Sequence, residues 1–177
     1  ENQIAPENAT VAPYDKENGF ALQPCVMGTT IDRDQFVAAA DEAIEQLQDS
    51  LSLEKADVYV NPTVYDDDET LAAAIETMNG YAGTTINYQI GESAEVLDAT
   101  TFGEWISINK KGKPVISKKK VEEYVAGLAK KYNTCYTAKK LKTSYGKTVT
   151  IARSCYGWKV DNDAETKEII GEIKAGK

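Results

Sequence analysis

The chain has no histidine among its 177 residues. That removes the commonest general base, the usual activator of a nucleophilic cysteine or serine, and the commonest metal ligand. Cysteines number only three and never fall as C-x-x-C, so zinc-site and thioredoxin-like chemistry lack their groups. No G-x-S-x-G elbow, S-x-x-K pair or P-loop occurs. No apolar run reaches about 18 residues, so no segment reads as a membrane-spanning helix. No charged n-region followed by an apolar stretch opens the chain; "ENQIAPEN" reads as a polar linker left after a targeting segment has been removed.

Basic residues are scarce in one half only. Residues 1–98 carry 3 basic and 20 acidic side chains, whereas residues 99–177 carry 17 and 8. Such a division makes a strong electrical asymmetry. Two readings follow: oppositely charged halves packed together, or a basic face offered to an anionic polymer. An apolar fraction of 42% and a charged fraction of 27% are ordinary for a globular chain, long enough for one domain or two small ones.

The elements alternate. "NATVAPY" and "GFALQP" read as strands around the turn "DKENG". Asp32 is placed to cap a helix, with Gln35 at the capping-box position, Ile31 stapling onto Phe36, and Phe36, Ala40, Ala43, Ile44 and Leu47 as its buried stripe. "KADVYVNP" reads as a strand, and a second helix bears Leu71, Ala74, Ile75 and Met78 and ends at Asn79-Gly80. "TTINYQIG" alternates with period two, "AEVLD" follows a Gly-Glu-Ser turn, and "ATTFGEWI" is a short helical turn. After the turn "KKGKP", Ser117 caps a third helix with Val121, Tyr124, Val125, Leu128 and Tyr132 on one face. A hairpin turning at Tyr145-Gly146 comes next, then a helix from near Asn162 bearing Ile169, Ile170 and Ile173. About four longer helices and about seven short, mostly antiparallel strands predict an α+β fold. The charge switch divides it into an acidic subdomain, 1–98, and a basic one, 99–177.

Candidate sites divide by the physics that explains them. Asp66-Asp67-Asp68-Glu69 are consecutive and open a helix, so they read as dipole complement and cap rather than a calcium loop. Lys118, Lys119 and Lys120 stand in the first turn of a helix, where positive charge is unfavourable. With Lys110, Lys111 and Lys113 they form a solvated run, or one patch with Lys139, Lys140, Lys142 and Lys147 of the hairpin. No motif supports nucleic-acid binding, and no cofactor or metal is implied. Tyr145, Tyr156 and Trp158 suit a platform for a sugar or peptide stem; the packing alternative buries Trp158 under the hairpin and the last helix, and is the expectation for so large an aromatic.

Cys155 has Arg153 beside it but no general base. If Tyr145 marks the hairpin tip, paired positions sum to about 290, which sets Cys135 opposite Cys155 within disulfide reach unless the register slips by one. Such a bridge would close a loop of roughly 20 residues, contribute about 3 kcal/mol in the chain-entropy model, and imply an oxidising compartment. Cys25 is then left free.

The order "GFALQP", "VYVNP", "DETLAAAIETMNGYAGTTINYQIGESAEVLDATTFGEWI", "VEEYVAGLAKKYNT", "KTSYGKTVTI" and "YGWKVDNDAETKEIIGEIKAGK" resembles the peptidoglycan-binding-type domain that precedes the YkuD-type catalytic domain of Gram-positive L,D-transpeptidases. The catalytic histidine and the Ser-His-Gly-Cys motif of that family are absent, and "Arg-Ser-Cys-Tyr-Gly" only echoes the latter. The family more often shows G-G-x-Y-G-W here, with Cys155 on the variable position; Tyr156, Gly157 and Trp158 carry over as a signature. The resemblance implies a non-catalytic, extracytoplasmic module that positions a C-terminal transpeptidase domain in cis on peptidoglycan or another anionic wall polymer. It implies membrane attachment only through an N-terminal anchor. Alternatives are a spacer that docks the catalytic domain without binding the wall, and the equivalent module of a vancomycin-resistance W-type protein.

Overall fold

The computed structural model describes residues 3–153 and 155–176. It divides into two compact units, Glu1–Tyr14 with Phe20–Glu76, and Asp15–Gly19 with Thr77–Lys177. The change of charge sign near residue 98 falls inside the second unit. Among the described residues, five α-helices and four two-stranded antiparallel hairpins make up the expected α+β architecture. None of these helices is long and apolar enough to cross a membrane.

In the first unit, β1 (Thr10–Val11) pairs with β2 (Leu22–Gln23). Helix α1 (Arg33–Glu45) starts where Asp32 accepts from the N–H groups of Asp34 and Gln35, at 2.9 and 3.1 Å. Asp32's own N–H donates to the Val58 carbonyl at 2.7 Å, so that donor is satisfied by tertiary contact. The expected buried stripe on α1 does not hold. Ala43 is buried, but Ile44 is 71% and Leu47 88% exposed. "KADVYVNP" is not a strand either: Asp57 takes a positive φ of 49°, Pro62 stops the run, and a single bridge, Ile31 to Tyr59, remains.

The acidic run divides its work. Asp68 caps α2 (Glu69–Ala82), accepting from Leu71 N–H at 2.8 Å, while Asp66 accepts from Cys25 N–H at 2.7 Å. Helix α2 continues through Asn79-Gly80 to Ala82. A glycine inside a helix costs about 1 kcal/mol, less than burying Met78 returns, at about 1.5–3 kcal/mol.

In the second unit, β3 (Ile86–Ile90) turns through Gly91, at φ 62°, into β4 (Ser93–Leu97). Helix α3 (Ala99–Phe102) and a 3-10 turn (Gly103–Trp105) lead into β5 (Ile106–Ile108), which pairs with β6 (Pro114–Ile116). Helix α4 (Lys118–Tyr132) then packs on α5 (Asn162–Ala175). Between them lie β7 (Lys139–Lys142) and β8 (Thr148–Ile151), whose pairs, Lys139 with Ile151 through Lys142 with Thr148, follow the expected register. Phe102, Val121, Val125, Ile169 and Ile173 are at most 1% exposed and form the core with Trp105, whose ring lies 5.5 Å from that of Tyr124.

Ile173→Ala should therefore cost about 2–5 kcal/mol, whereas Ile44→Ala on the exposed face of α1 should stay within about 0.5 kcal/mol. Urea unfolding of the two variants checks both.

Candidate functional site

Trp158 is not packed under the hairpin. Its side chain is exposed, and the residue is 74% accessible. Its backbone is held from both directions: its carbonyl accepts the N–H groups of Thr134 and Cys135, each at 3.0 Å, and its N–H donates to Thr134 Oγ1 at 2.9 Å. Gly157 makes this approach possible. It adopts φ 147°, and a Cβ there would lie 2.7 Å from both the Cys135 nitrogen and the Thr134 carbonyl carbon. Only glycine tolerates that conformation and contact together. Two residues on, Val160 N–H donates to Asn133 Oδ1 at 2.7 Å, and Asp161 caps α5 by accepting from Ala164 N–H at 3.1 Å. The Tyr-Gly-Trp signature is thus a rigid backbone mount that presents an indole.

Trp158 is among the residues that line a cleft of about 300 Å³. Tyr88 of β3 and Tyr132 of α4 supply further aromatic wall, with Ile90, Leu128 and Ala164 as aliphatic lining. Asp161, Glu165 and Lys159 supply charge. Tyr88 donates from its hydroxyl to Glu165 Oε1 at 2.7 Å. Burial first, and then the Glu165 carboxylate, push the Tyr88 phenol far above its ordinary range, so it stays a donor at any ordinary pH. Tyr132 and Lys131 both donate to Glu95 Oε1, which fixes the Tyr132 ring and the end of α4 on β4. These hydrogen bonds, led by that from Lys131, hold the Glu95 carboxyl below the usual range and raise the Lys131 ammonium. Neighbouring hollows extend the surface: one of about 650 Å³ shares Lys159, Val160 and Asp161, and another of about 430 Å³ is lined by Glu165, Glu168 and Glu172.

The other predicted site residues scatter. Tyr145 sits at the hairpin tip, 91% exposed. Tyr156 is exposed and has Lys139 Nζ 5.8 Å from its ring centre, so these two do meet. Lys140 lies beside Lys139 on the exposed hairpin strand, and its side chain belongs to the opposite sheet face. Lys118 and Lys119 stand at the far end of α4 from Tyr132, a separation of about 21 Å along the helix. Each meets a carboxylate one turn on, Lys118 with Glu122 at 3.3 Å and Lys119 with Glu123 at 3.9 Å. Ser117 precedes that helix without a side-chain capping bond.

The expected Cys135–Cys155 bridge is a correction. Both are free thiols, as is Cys25. The hairpin register was right, but the ladder ends at Lys139 and Ile151, and beyond it Cys135 Sγ donates to the Cys155 carbonyl at 3.0 Å instead of bonding to its sulfur. Ser154, within the Arg-Ser-Cys-Tyr-Gly stretch, lies outside the described residues. Burial first, then the Asp66 carboxylate, push the Cys25 thiol up, away from a reactive thiolate. Sequence reasoning treated Tyr132 as part of a core stripe and passed over Tyr88 and Glu165 as the lining of a cleft. Their signal was present: Tyr88 shares a strand face with Ile86 and Ile90, and Tyr132 lies one helical turn beyond Leu128.

The family described as "Putative peptidoglycan binding domain" matches residues 67–177, a segment that contains the whole cleft. Two solved structures are similar. One, titled as the Ldtfm-avibactam carbamoyl enzyme, is 28% identical over 60% of this chain and 42% of its own, with a TM-score of 0.49. The other, a cysteine-to-serine mutant of the Enterococcus faecium L,D-transpeptidase, is 28% identical over 58% of this chain and 41% of its own, with a TM-score of 0.48. The chain therefore spans less than half the length of these structures. No curated protein matches it.

Gly157→Ala should cost about 1–3 kcal/mol through backbone strain and speed hydrogen exchange at the Cys135 and Trp158 amides. Exchange rates equal to those of the parent chain would contradict the mount. Glu95 gives a pH test. Its carboxyl is depressed in the folded state, so its stabilising contribution is full above its unfolded value and is lost as pH falls through the folded one. Urea unfolding between about pH 6 and about pH 3 should show the parent losing more stability than Glu95→Gln.

Proposed function

The chain belongs to the peptidoglycan-binding domain family, and from that premise we propose that it is a non-catalytic, extracytoplasmic module that binds the cell wall and positions an L,D-transpeptidase catalytic domain there. The observation that carries this reading is Trp158: a large aromatic left in solvent while its own backbone N–H and carbonyl are both hydrogen-bonded to the 134–135 segment. A buried indole would serve the core; a mounted, exposed one over a cleft serves a ligand. Tyr156 and Lys139, which meet with the Lys139 Nζ 5.8 Å from the Tyr156 ring centre, offer wall carboxylates or phosphates a cation. The sequence has no histidine to serve as the general base of a cysteine or serine nucleophile.

A second reading, a scaffold that docks a catalytic domain, is supported by the exposed apolar face of the β7–β8 hairpin, where Leu141 and Val149 are 53% and 48% exposed. Deleting the hairpin from a two-domain protein would then reduce catalytic-domain stability without touching wall affinity.

Co-sedimentation with purified peptidoglycan at low salt checks the leading reading. The parent chain should be retained, and Trp158→Ala should reduce retention about tenfold without loss of stability. No retention of the parent would remove the binding claim.

A further inference from the structure

Resting on the wall-binding reading, we propose that the Trp158 cleft receives a primary ammonium carried on an aliphatic stem, the group that a diamino-acid side chain of a wall peptide presents. The second half of the chain is basic in sum, yet the cleft is not. Glu165 and Asp161 line it against Lys159 alone, and the adjoining hollow adds Glu168 and Glu172 beside Glu165. A carboxylate or phosphate entering here would meet like charge in a partly desolvated wall. A cation meets the opposite arrangement.

The aromatic groups point the same way. Trp158, Tyr88 and Tyr132 line one cleft of about 300 Å³, and aromatic faces attract ammonium groups, as Lys131 Nζ at 5.1 Å from the Tyr132 ring centre already shows for that ring. Between them Ile90, Leu128 and Ala164 offer aliphatic surface, which a methylene stem covers and a polyhydroxylated ring does not. The Tyr88 hydroxyl, 2.7 Å from Glu165 Oε1, fixes the carboxylate of a residue that lines both hollows. None of the lysines expected to draw anions lines this cleft: Lys118 and Lys119 stand at the start of α4, and Lys139 and Lys140 on the hairpin. Stem-peptide amine recognition and anion recognition are therefore separated in space on this unit.

The test uses the whole chain and sacculi whose stem peptides bear free amines, in native form and after acetylation of those amines. Acetylation removes positive charge and leaves the wall more anionic, so the two recognition modes respond with opposite sign. Ammonium recognition predicts retention falling about fivefold or more. Retention unchanged or increased on the acetylated wall would overturn the ammonium assignment while leaving wall binding intact. Absence of retention on both materials would remove the wall-binding reading and this assignment with it. Direct titration makes the second arm: Nα-acetyl-lysine amide should quench Trp158 fluorescence, and its uncharged norleucine counterpart should not. Glu165→Gln keeps an acceptor for Tyr88 and should weaken the lysine probe about fivefold. A Glu165→Gln chain that binds this probe as tightly as the parent would also overturn the assignment.

Discussion

A carbonyl oxygen with two N–H donors holds the cleft end of the second unit together. The Trp158 carbonyl takes the amides of Thr134 and Cys135 just as α4 ends, where a helix leaves its terminal groups without internal partners. Returning the chain to that point requires two strands of backbone to touch, and the glycine at 157 is what lets them. Once Trp158 is seated, Val160 reaches Asn133 and Asp161 is placed to cap α5. Helix α5 then runs back along α4 and buries Ile169 and Ile173. The excursion through β7 and β8 is closed at its base by the same contact, so the hairpin can be wholly exposed without loosening the helices it interrupts.

Much of this architecture could be read from residue patterns because the forces involved are local. Asp32, Asp68 and Asp161 satisfy helix N-terminal amides two or three residues away, and a cap needs nothing further. Hairpin register follows from where the turn glycine sits, so Lys139 to Ile151 was predictable to the residue. Helix α1 shows the limit. Its spacing of Phe36, Ala40, Ile44 and Leu47 is that of a buried stripe, but periodicity states only that a face is apolar, and burial depends on what packs there. The 57–61 segment failed for the converse reason: Asp57 in a left-handed conformation breaks a strand that composition favours.

The site was half legible. Tyr156, Gly157 and Trp158 stood out in sequence, but the prior for a large aromatic is burial, and it pointed the wrong way for Trp158. What decides the outcome is backbone hydrogen bonding over a separation of 24 residues, from Trp158 to Thr134, and no pattern of side chains announces that. The cysteines mislead by the same route. A correct register carried Cys135 to Cys155, but the ladder stops before them, and past its end the geometry is set by Gly157 and Thr134 rather than by strand pairing.

Charge is where a count departs furthest from the physics. Seventeen basic residues against eight acidic ones suggest a surface that attracts anions. Two of those lysines, Lys118 and Lys119, are answered one turn later by Glu122 and Glu123, and another, Lys131, is taken up by Glu95. At physiological salt the screening length is about 8 Å, well under the roughly 21 Å that separates the start of α4 from Tyr132. The cleft therefore responds to its own lining, Glu165 and Asp161, and to the neighbouring Glu168 and Glu172, rather than to the net charge of residues 99–177. A basic half-chain can carry an acidic, aromatic pocket because, in salt water, a ligand a few ångströms from the protein senses the nearest side chains and not the sum.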